Sequence, residues 1–168
     1  MNSIEDKTKA VRTFTRVFKN EHNVDGIDHL FAPDFKHNFA PPLRPGLAGF
    51  KDIGRMMNQA FRNVVVTEQD LIANDTTVVE RSSAAATHKG EFMGTAPTGR
   101  KIRWTEIHIY RFAGGKIAEH WVELSMLQLL QQIGAIPAPK EKEEVPGDSQ
   151  CHTTLTASRS RWSRTNSG

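Results

Sequence analysis

Residues 102–112, with the sequence IRWTEIHIYRF, are the most informative part of the chain, because successive side chains of a strand point to opposite faces of a sheet. One face mixes apolar, acidic and imidazole groups: Ile102, Trp104, Glu106, His108 and Tyr110. The other face carries Lys101, Arg103, Thr105, Ile107, Ile109 and Arg111. If helices cover Ile107 and Ile109, the first face lines a concave cavity of the kind that binds small ligands. The alternative is a surface pair of His108 and Glu106 on an exposed sheet face.

The next strand is predicted over residues 116–126, since the turn pair Gly114-Gly115 joins it to the first in a hairpin. Hairpin register does not follow from sequence alone. We expect the cavity-facing set to be Ala118, His120, Val122, Leu124 and Met126. His120 alone also fits a buried packing histidine that is held by hydrogen bonds.

The N-terminal part of the chain is predicted to be helical. Apolar spacing indicates helices over residues 3–20, 24–31 and 46–61, with a proline-rich loop at 40–46. Short strands follow at 64–67 and 76–79, and a closing helix at 127–133 ends at Gly134. Helices followed by antiparallel strands predict an α+β fold, with the helices on one side of a curved sheet.

The basic charge belongs to the end of the chain. The protein has 168 residues with a net charge of +3, and its pI is 9.2. Residues 149–168 hold three of the 22 basic residues and no acid, which leaves 19 basic against 19 acidic residues in 1–148. We therefore predict one domain over 1–139, a disordered tail over 140–168, and no nucleic-acid partner.

Several function classes are excluded by what the sequence lacks. Cys151 is the single cysteine, and no metal-ligand spacing, phosphate loop or nucleophile motif is present. No apolar run is long enough to span a membrane, and the N-terminus has no signal-peptide pattern. We expect a cytoplasmic protein with no metal, cofactor or membrane partner, which leaves acid–base chemistry or simple binding.

Residues 11–134 resemble the SnoaL-like polyketide cyclases of the nuclear transport factor 2-like superfamily. The resemblance rests on the order and spacing of seven pieces: FKH at 35–37, PGLAGF at 45–50, GEFMG at 90–94, PTGR at 97–100, HIYRF at 108–112, GKIAEHW at 115–121 and LQQIG at 130–134. It implies a conical α+β barrel with one deep apolar pocket, and a homodimer formed through the open face of the sheet. It also implies an intramolecular aldol condensation without metal or cofactor.

The resemblance places pocket residues at His37, Glu106, His108 and His120. The catalytic aspartate of the family falls on Val122 and a second acidic position on Ser125, so neither is a carboxylate in this chain. Either Glu106 or a histidine is then the base, or the chemistry differs, or the pocket only binds. A β-bulge that turned Glu123 into the pocket would be another source of a carboxylate.

The sequence therefore predicts a cofactor-independent cyclase or isomerase that acts on a hydrophobic, polyketide-like carbonyl compound. The catalytic candidates are His108, Glu106 and His120. The substrate-binding candidates are His37, Trp104, Tyr110, Val122 and Met126. The alternative is a non-catalytic small-molecule binding protein of the same fold.

Overall fold

The structure is a computed structural model that describes residues 3–38 and 44–138. Its helices are α1 (Ile4–Phe14), a π-helix (Thr15–Asn20), a 3-10 turn (Asp28–Leu30), α2 (Gly46–Ala60) and α3 (Met126–Ile133). Its strands are β1 (Phe31–Asn38), β2 (Phe61–Ala73), β3 (Thr77–His88), β4 (Lys101–Ala113) and β5 (Lys116–Leu124). The tail predicted over 140–168 and most of the proline loop lie outside the described residues.

The five strands form one curved sheet in the order β1-β5-β4-β3-β2. Strand β1 pairs with β5 in parallel, and the other neighbours are antiparallel. The predicted α+β class is therefore confirmed. Within residues 3–38 and 44–138, no helix has both the length and the apolar character needed to cross a membrane.

The helix predicted over 24–31 is wrong. That segment forms turns and one 3-10 turn, and Phe31 already begins β1. Pro33 lies within β1 at the edge of the sheet, where a missing backbone N–H is tolerated. Phe31 and Phe35 are buried in the core from this strand, and His37 therefore lies in a strand and not in a loop.

Strands β2 and β3 are much longer than the four-residue runs predicted from the sequence, with 13 and 12 residues. The polar residues Thr67, Glu68 and Gln69 face solvent in β2 and hide its strand pattern. The β2–β3 register shifts at two places, between Arg62 and Val65 and between Glu68 and Asp70. Such bulges bend and twist a sheet.

Burial along β4 alternates strictly, and the face with Trp104, Glu106 and His108 is the buried one, as predicted. The helices cover this same face and not the opposite one, because Ile107 and Ile109 are 48% and 37% exposed. The condition that helices cover these two isoleucines is therefore wrong. Their face stays available to the homodimer, which remains a prediction.

Strand β5 carries a bulge at Ala118, since Arg111 pairs with Glu119 while Phe112 pairs with Ile117. The extra residue turns Ile117 onto the buried face beside His120, where Ala118 was expected. From His120 onward the alternation is as predicted. Glu123 is exposed, so the bulge expected to turn it into the pocket is absent.

The loop after β3 is held against the end of α2. The Gly90 backbone N–H donates to the Ala60 carbonyl at 2.9 Å. A Cβ atom at Gly90 would lie 2.2 Å from the Gln59 carbonyl oxygen, so no larger residue fits without a backbone shift.

We expect Gly90→Ala to lower the free energy of unfolding by about 3 kcal/mol, the upper end of overpacking costs. The control is Gly94→Ala, where a Cβ meets no atom within 4 Å but the backbone has a φ of +77°. That strain costs about 1 kcal/mol. Urea unfolding of both variants measures the difference, and equal losses would contradict the close packing at Gly90.

Candidate functional site

A cavity of about 360 Å³ opens between the helices and the concave face of the sheet. This volume lies within the range of small-molecule sites. Much of its wall is apolar and includes Phe18, Phe50, Met57, Phe61, Phe92 and Leu124. The titratable side chains that reach this wall are Lys19, His37, Glu106, His108 and His120.

Three of these groups meet in what we call the acid–base corner: Lys19 Nζ, Glu106 Oε2 and His108 Nε2. Lys19 Nζ lies 2.6 Å from Glu106 Oε2 and 2.7 Å from His108 Nε2, and the last two atoms are 2.7 Å apart. Trp104 Nε1–H donates to the other Glu106 oxygen at 2.7 Å. Glu106 and His108 are only 7% and 4% exposed, so the alternative of a surface pair is wrong.

His108 also begins a line of three rings, which we call the imidazole row: His108, His120 and His37. His108 Nδ1 lies 2.9 Å from His120 Nε2, and His120 Nδ1 lies 3.2 Å from His37 Nδ1. Successive ring planes differ by only 8° and 15°, with centres 5.2 and 5.3 Å apart. Near-parallel rings with such short N···N distances are joined edge to edge, as N–H···N hydrogen bonding requires.

Strand register explains how residues far apart in sequence form this row. His37 on β1 is the register partner of His120 on β5, and His120 is in turn the partner of Tyr110 on β4. His108 lies two residues from Tyr110 on the same buried face. The row therefore depends on β1 being a strand, which sequence patterning did not predict.

Burial governs the charge state of the row. Burial lowers the pKa of His108, and the Lys19 charge lowers it further. Burial likewise holds the pKa of His120 well below its usual value and lowers the pKa of His37 to about 4, with a further contribution from His108 in both. All three imidazoles are therefore neutral at neutral pH.

Glu106, unlike the imidazoles, stays charged although it is buried. Burial acts to raise its pKa, but the Lys19 charge and the hydrogen bond to His108 outweigh burial and hold the pKa well below the usual value. The acid–base corner therefore combines a carboxylate, an ammonium group and a neutral imidazole. Such a combination can move a proton and stabilise a developing negative charge.

Lys19 is the functional residue that sequence patterning missed. An α-helical period predicts a first helix with Phe14 and Phe18 inside, and it gives Lys19 no role. The segment Thr15–Asn20 is instead a π-helix, and its wider turn brings residues five apart onto one face. Lys19 Nζ accordingly lies 5.9 Å from the centre of the Phe14 ring.

Tyr110 differs from its predicted role, because it is fully buried and is not among the residues that line the cavity. Its hydroxyl donates to Glu80 at 3.1 Å, and the Thr15 hydroxyl donates to the same carboxylate at 3.0 Å. Burial, together with Glu80, raises the pKa of Tyr110 well above its usual value. The ring lies 4.8 Å from that of His120 and supports the imidazole row.

The other predicted substrate-binding residues, His37, Trp104, Val122 and Met126, all line the cavity. Val122 presents an apolar side chain at the position that the resemblance assigns to a catalytic aspartate. The Ser125 hydroxyl accepts a hydrogen bond from the Thr105 backbone N–H at 2.9 Å and so fixes the end of β5. Neither position supplies a proton-transfer group.

In the part of the chain that the structure describes, no group of three or more His, Cys, Asp or Glu side chains is arranged to hold a metal ion. The histidines illustrate why, since their ring nitrogens face one another along a line. Metal ligands instead converge on one point.

Comparison with known proteins decides the family, because a model of the SnoaL-like polyketide cyclases matches residues 8–133. The chain belongs to the SnoaL-like polyketide cyclase family. The resemblance noted in the sequence is thereby confirmed. No curated protein sequence matches the chain.

Solved structures confirm the nuclear transport factor 2-like fold. AclR, a candidate hydroxylase from Streptomyces galilaeus, is 27% identical, with a TM-score of 0.72 over 80% of this chain and 100% of that one. A candidate polyketide cyclase from Acidithiobacillus ferrooxidans is 26% identical, with a TM-score of 0.68 over 79% and 97%. IdmH, a candidate polyketide cyclase from Streptomyces antibioticus, is 26% identical, with a TM-score of 0.66 over 76% and 98%.

We expect the protein to lose stability as the pH falls from about 6.5 toward 4, because the lowered pKa of His37, about 4, means that its folded form resists protonation. The unfolded chain takes up the proton at the higher pH, so acid favours unfolding. His37→Gln should reduce this fall in the thermal midpoint.

The control for this pH series is His29→Gln, because His29 is exposed and lies outside the row. Its midpoint should follow that of the wild type at every pH. An unchanged pH dependence in His37→Gln would show that His37 is not held neutral by burial.

We expect Lys19→Met to lower the free energy of unfolding by about 3–5 kcal/mol, because it leaves the Glu106 carboxylate buried without its cation. Arg12→Met is the matched control, since Arg12 pairs with Glu68 at 3.0 Å but its side chain is 60% exposed. That exposed pair is worth about 0–1 kcal/mol. Urea unfolding measures both, and similar small losses would mean that Lys19 does not neutralise Glu106.

Proposed function

We propose that the protein is a cofactor-independent cyclase or isomerase that uses acid–base chemistry on a hydrophobic, polyketide-like carbonyl compound. The observation that carries this proposal is a neutral imidazole, His108, in contact with an ammonium group and a carboxylate at the wall of an apolar cavity. A base that removes the proton and a cation that stabilises the developing negative charge both favour reaction at a carbon next to a carbonyl.

Lys19 is the group that would bind the ligand carbonyl. Its ammonium has three N–H donors, of which two are directed at Glu106 and His108. A carbonyl oxygen in the cavity can accept the third. A fixed positive charge in apolar surroundings stabilises an enolate strongly, since the negative charge develops on that oxygen.

His108 would be the general base. In the reactive form the hydrogen of His108 is on Nδ1, so the lone pair of Nε2 takes a proton from the carbon next to the carbonyl. Glu106 Oε2, 2.7 Å from Nε2, stabilises the imidazolium that forms. The enolate carbon then attacks a second carbonyl of the same ligand, which forms a C–C bond and an alkoxide, and the His108 imidazolium gives its proton to that alkoxide.

The family supports this chemistry, and two of the similar solved structures are candidate polyketide cyclases. In this proposal His120 fixes the tautomer of His108 through their 2.9 Å contact. Trp104, Val122 and Met126 would contact the apolar part of the ligand from the cavity wall.

A second candidate function is binding without catalysis, and Val122 favours it. The cavity has an apolar group where the family has its catalytic aspartate, and Ser125 supplies no acid either. A protein that only carries a ligand needs the apolar cavity and not the acid–base corner.

The test uses α-tetralone, a bicyclic aromatic ketone, as the probe. We expect the wild-type protein to accelerate exchange of its α-protons in D₂O, measured by proton NMR. His108→Gln should slow the catalysed exchange about 100-fold or more while α-tetralone still binds, since a general base contributes roughly 10²–10⁴-fold.

His29→Gln is the control for a surface histidine and should retain the wild-type rate. If α-tetralone binds to the wild type but exchanges no faster than in buffer, the non-catalytic function is favoured. Equal exchange rates in wild type and His108→Gln would contradict the role of His108.

A further inference from the structure

We propose that Met93 determines which ligands the cavity prefers, because its side chain contacts the outer end of the ligand at the exposed mouth of the cavity. The preferred ligand is then a ketone whose apolar body is long enough to reach from the acid–base corner to that mouth. This inference deepens the proposed function and rests on it for one point, the position of the ligand carbonyl at Lys19.

Met93 lies at the tip of a tight turn in the loop between β3 and β4. The Phe92 N–H donates to the Thr95 carbonyl at 3.0 Å, and the Thr95 N–H donates to the Phe92 carbonyl at 2.9 Å. The two residues between them, Met93 and Gly94, have φ values of +50° and +77°. Positive φ values at both residues of a two-residue connection are characteristic of a type I′ turn.

Methionine is an unfavourable residue at this turn position. The first central residue of a type I′ turn is usually Asn, Asp or Gly, and other side chains are strained at a positive φ. The Met93 side chain is also 67% exposed, so its apolar atoms are accessible to water. Local structure therefore gives no reason for a methionine here, whereas contact with an apolar ligand gives one.

The turn is held in place at its base. The Gly90 N–H donates to the Ala60 carbonyl at 2.9 Å. Phe92 is only 3% exposed, and its ring lies 4.8 Å from that of Phe61. Met93 directly follows this anchored residue, so packing fixes the position of its backbone relative to the cavity.

The cavity extends from the buried acid–base corner to the surface. Glu106 and His108 are 7% and 4% exposed, whereas Met56 and Met93, which line the same cavity, are 39% and 67% exposed. Met56 and Met93 therefore lie at its mouth. A ligand with its carbonyl group at Lys19 has to extend past the apolar wall before it meets Met93. Short ligands consequently make no contact with this side chain.

The wall of the cavity is suited to ligands of varied outline. The chain has five methionines, and the four other than Met1 all line this cavity: Met56, Met57, Met93 and Met126. A methionine side chain is unbranched and polarisable, so it adjusts to irregular gaps and makes favourable contacts with the edges of aromatic rings. Such a wall discriminates by how much apolar surface the ligand brings to it, and at Met93 that amount depends on ligand length.

The test measures the binding of two aromatic ketones, α-tetralone and its linear homologue with one more fused benzene ring. Quenching of tryptophan fluorescence follows the titrations, because Trp104 lines the cavity. We expect the wild type to bind the longer ketone more tightly. Met93→Asn should weaken binding of the longer ketone about 10-fold, the size of a good thioether–ring contact, and leave α-tetralone binding unchanged.

A stability measurement separates a lost contact from a damaged turn. Asn followed by Gly is a preferred pair in type I′ turns, so Met93→Asn should raise the thermal midpoint by a few degrees while it weakens binding. The control is Leu127→Asn, which removes an apolar side chain of similar exposure, 65%. Leu127 is not among the residues that line the cavity, so this variant should bind both ketones as the wild type does.

The proposal is overturned if Met93→Asn loses affinity for both ketones equally or for neither. A wild type that binds neither ketone, or binds the longer one no more tightly than α-tetralone, would overturn it as well. A lower thermal midpoint in Met93→Asn would remove the argument from strain on which the proposal stands. The proposed function fails separately, if a wild type whose binding depends on Met93 does not accelerate α-proton exchange.

Discussion

The buried ion pair of Lys19 and Glu106 is the interaction on which the rest of the site depends. A lone carboxylate in apolar surroundings costs several kcal/mol and would take up a proton instead. The Lys19 ammonium at 2.6 Å keeps Glu106 ionised, and the same ammonium lies 2.7 Å from His108 Nε2. The π-helix that carries Lys19 is therefore part of the site and not only of the core.

Much of the architecture follows from the sequence where one pattern dominates. The strict alternation of β4 predicts the buried face that holds Glu106 and His108, and the Gly114-Gly115 pair predicts the hairpin into β5. The predictions that were wrong concern elements whose partners lie far away in sequence. Strand β1 exists because β5 offers it an edge, and a local pattern with Pro33 does not contain that information.

In the site, too, single residues follow from local patterns, whereas their contacts depend on distant partners. The sequence indicates His37, His108 and His120 one by one, but their connection requires the β1–β5 register. The position of Lys19 follows from a π-helix, which an α-helical period does not predict. The contact of Tyr110 with Glu80 could be predicted only if the full length of β3 were known. The alternation of apolar and polar residues likewise does not predict the bulge at Ala118, which places Ile117 in the core.

This member of the family has no carboxylate at Val122 or Ser125. In the proposed mechanism the proton-transfer groups lie instead on β4 and the π-helix, in the buried acid–base corner. The most direct measurement of this claim is the protonation of His108 and His120 by ¹⁵N NMR at pH 6.5, where an ordinary histidine is half protonated. We expect both rings to be neutral at that pH because burial lowers their pKa values, and a substantial imidazolium fraction on either ring would contradict this.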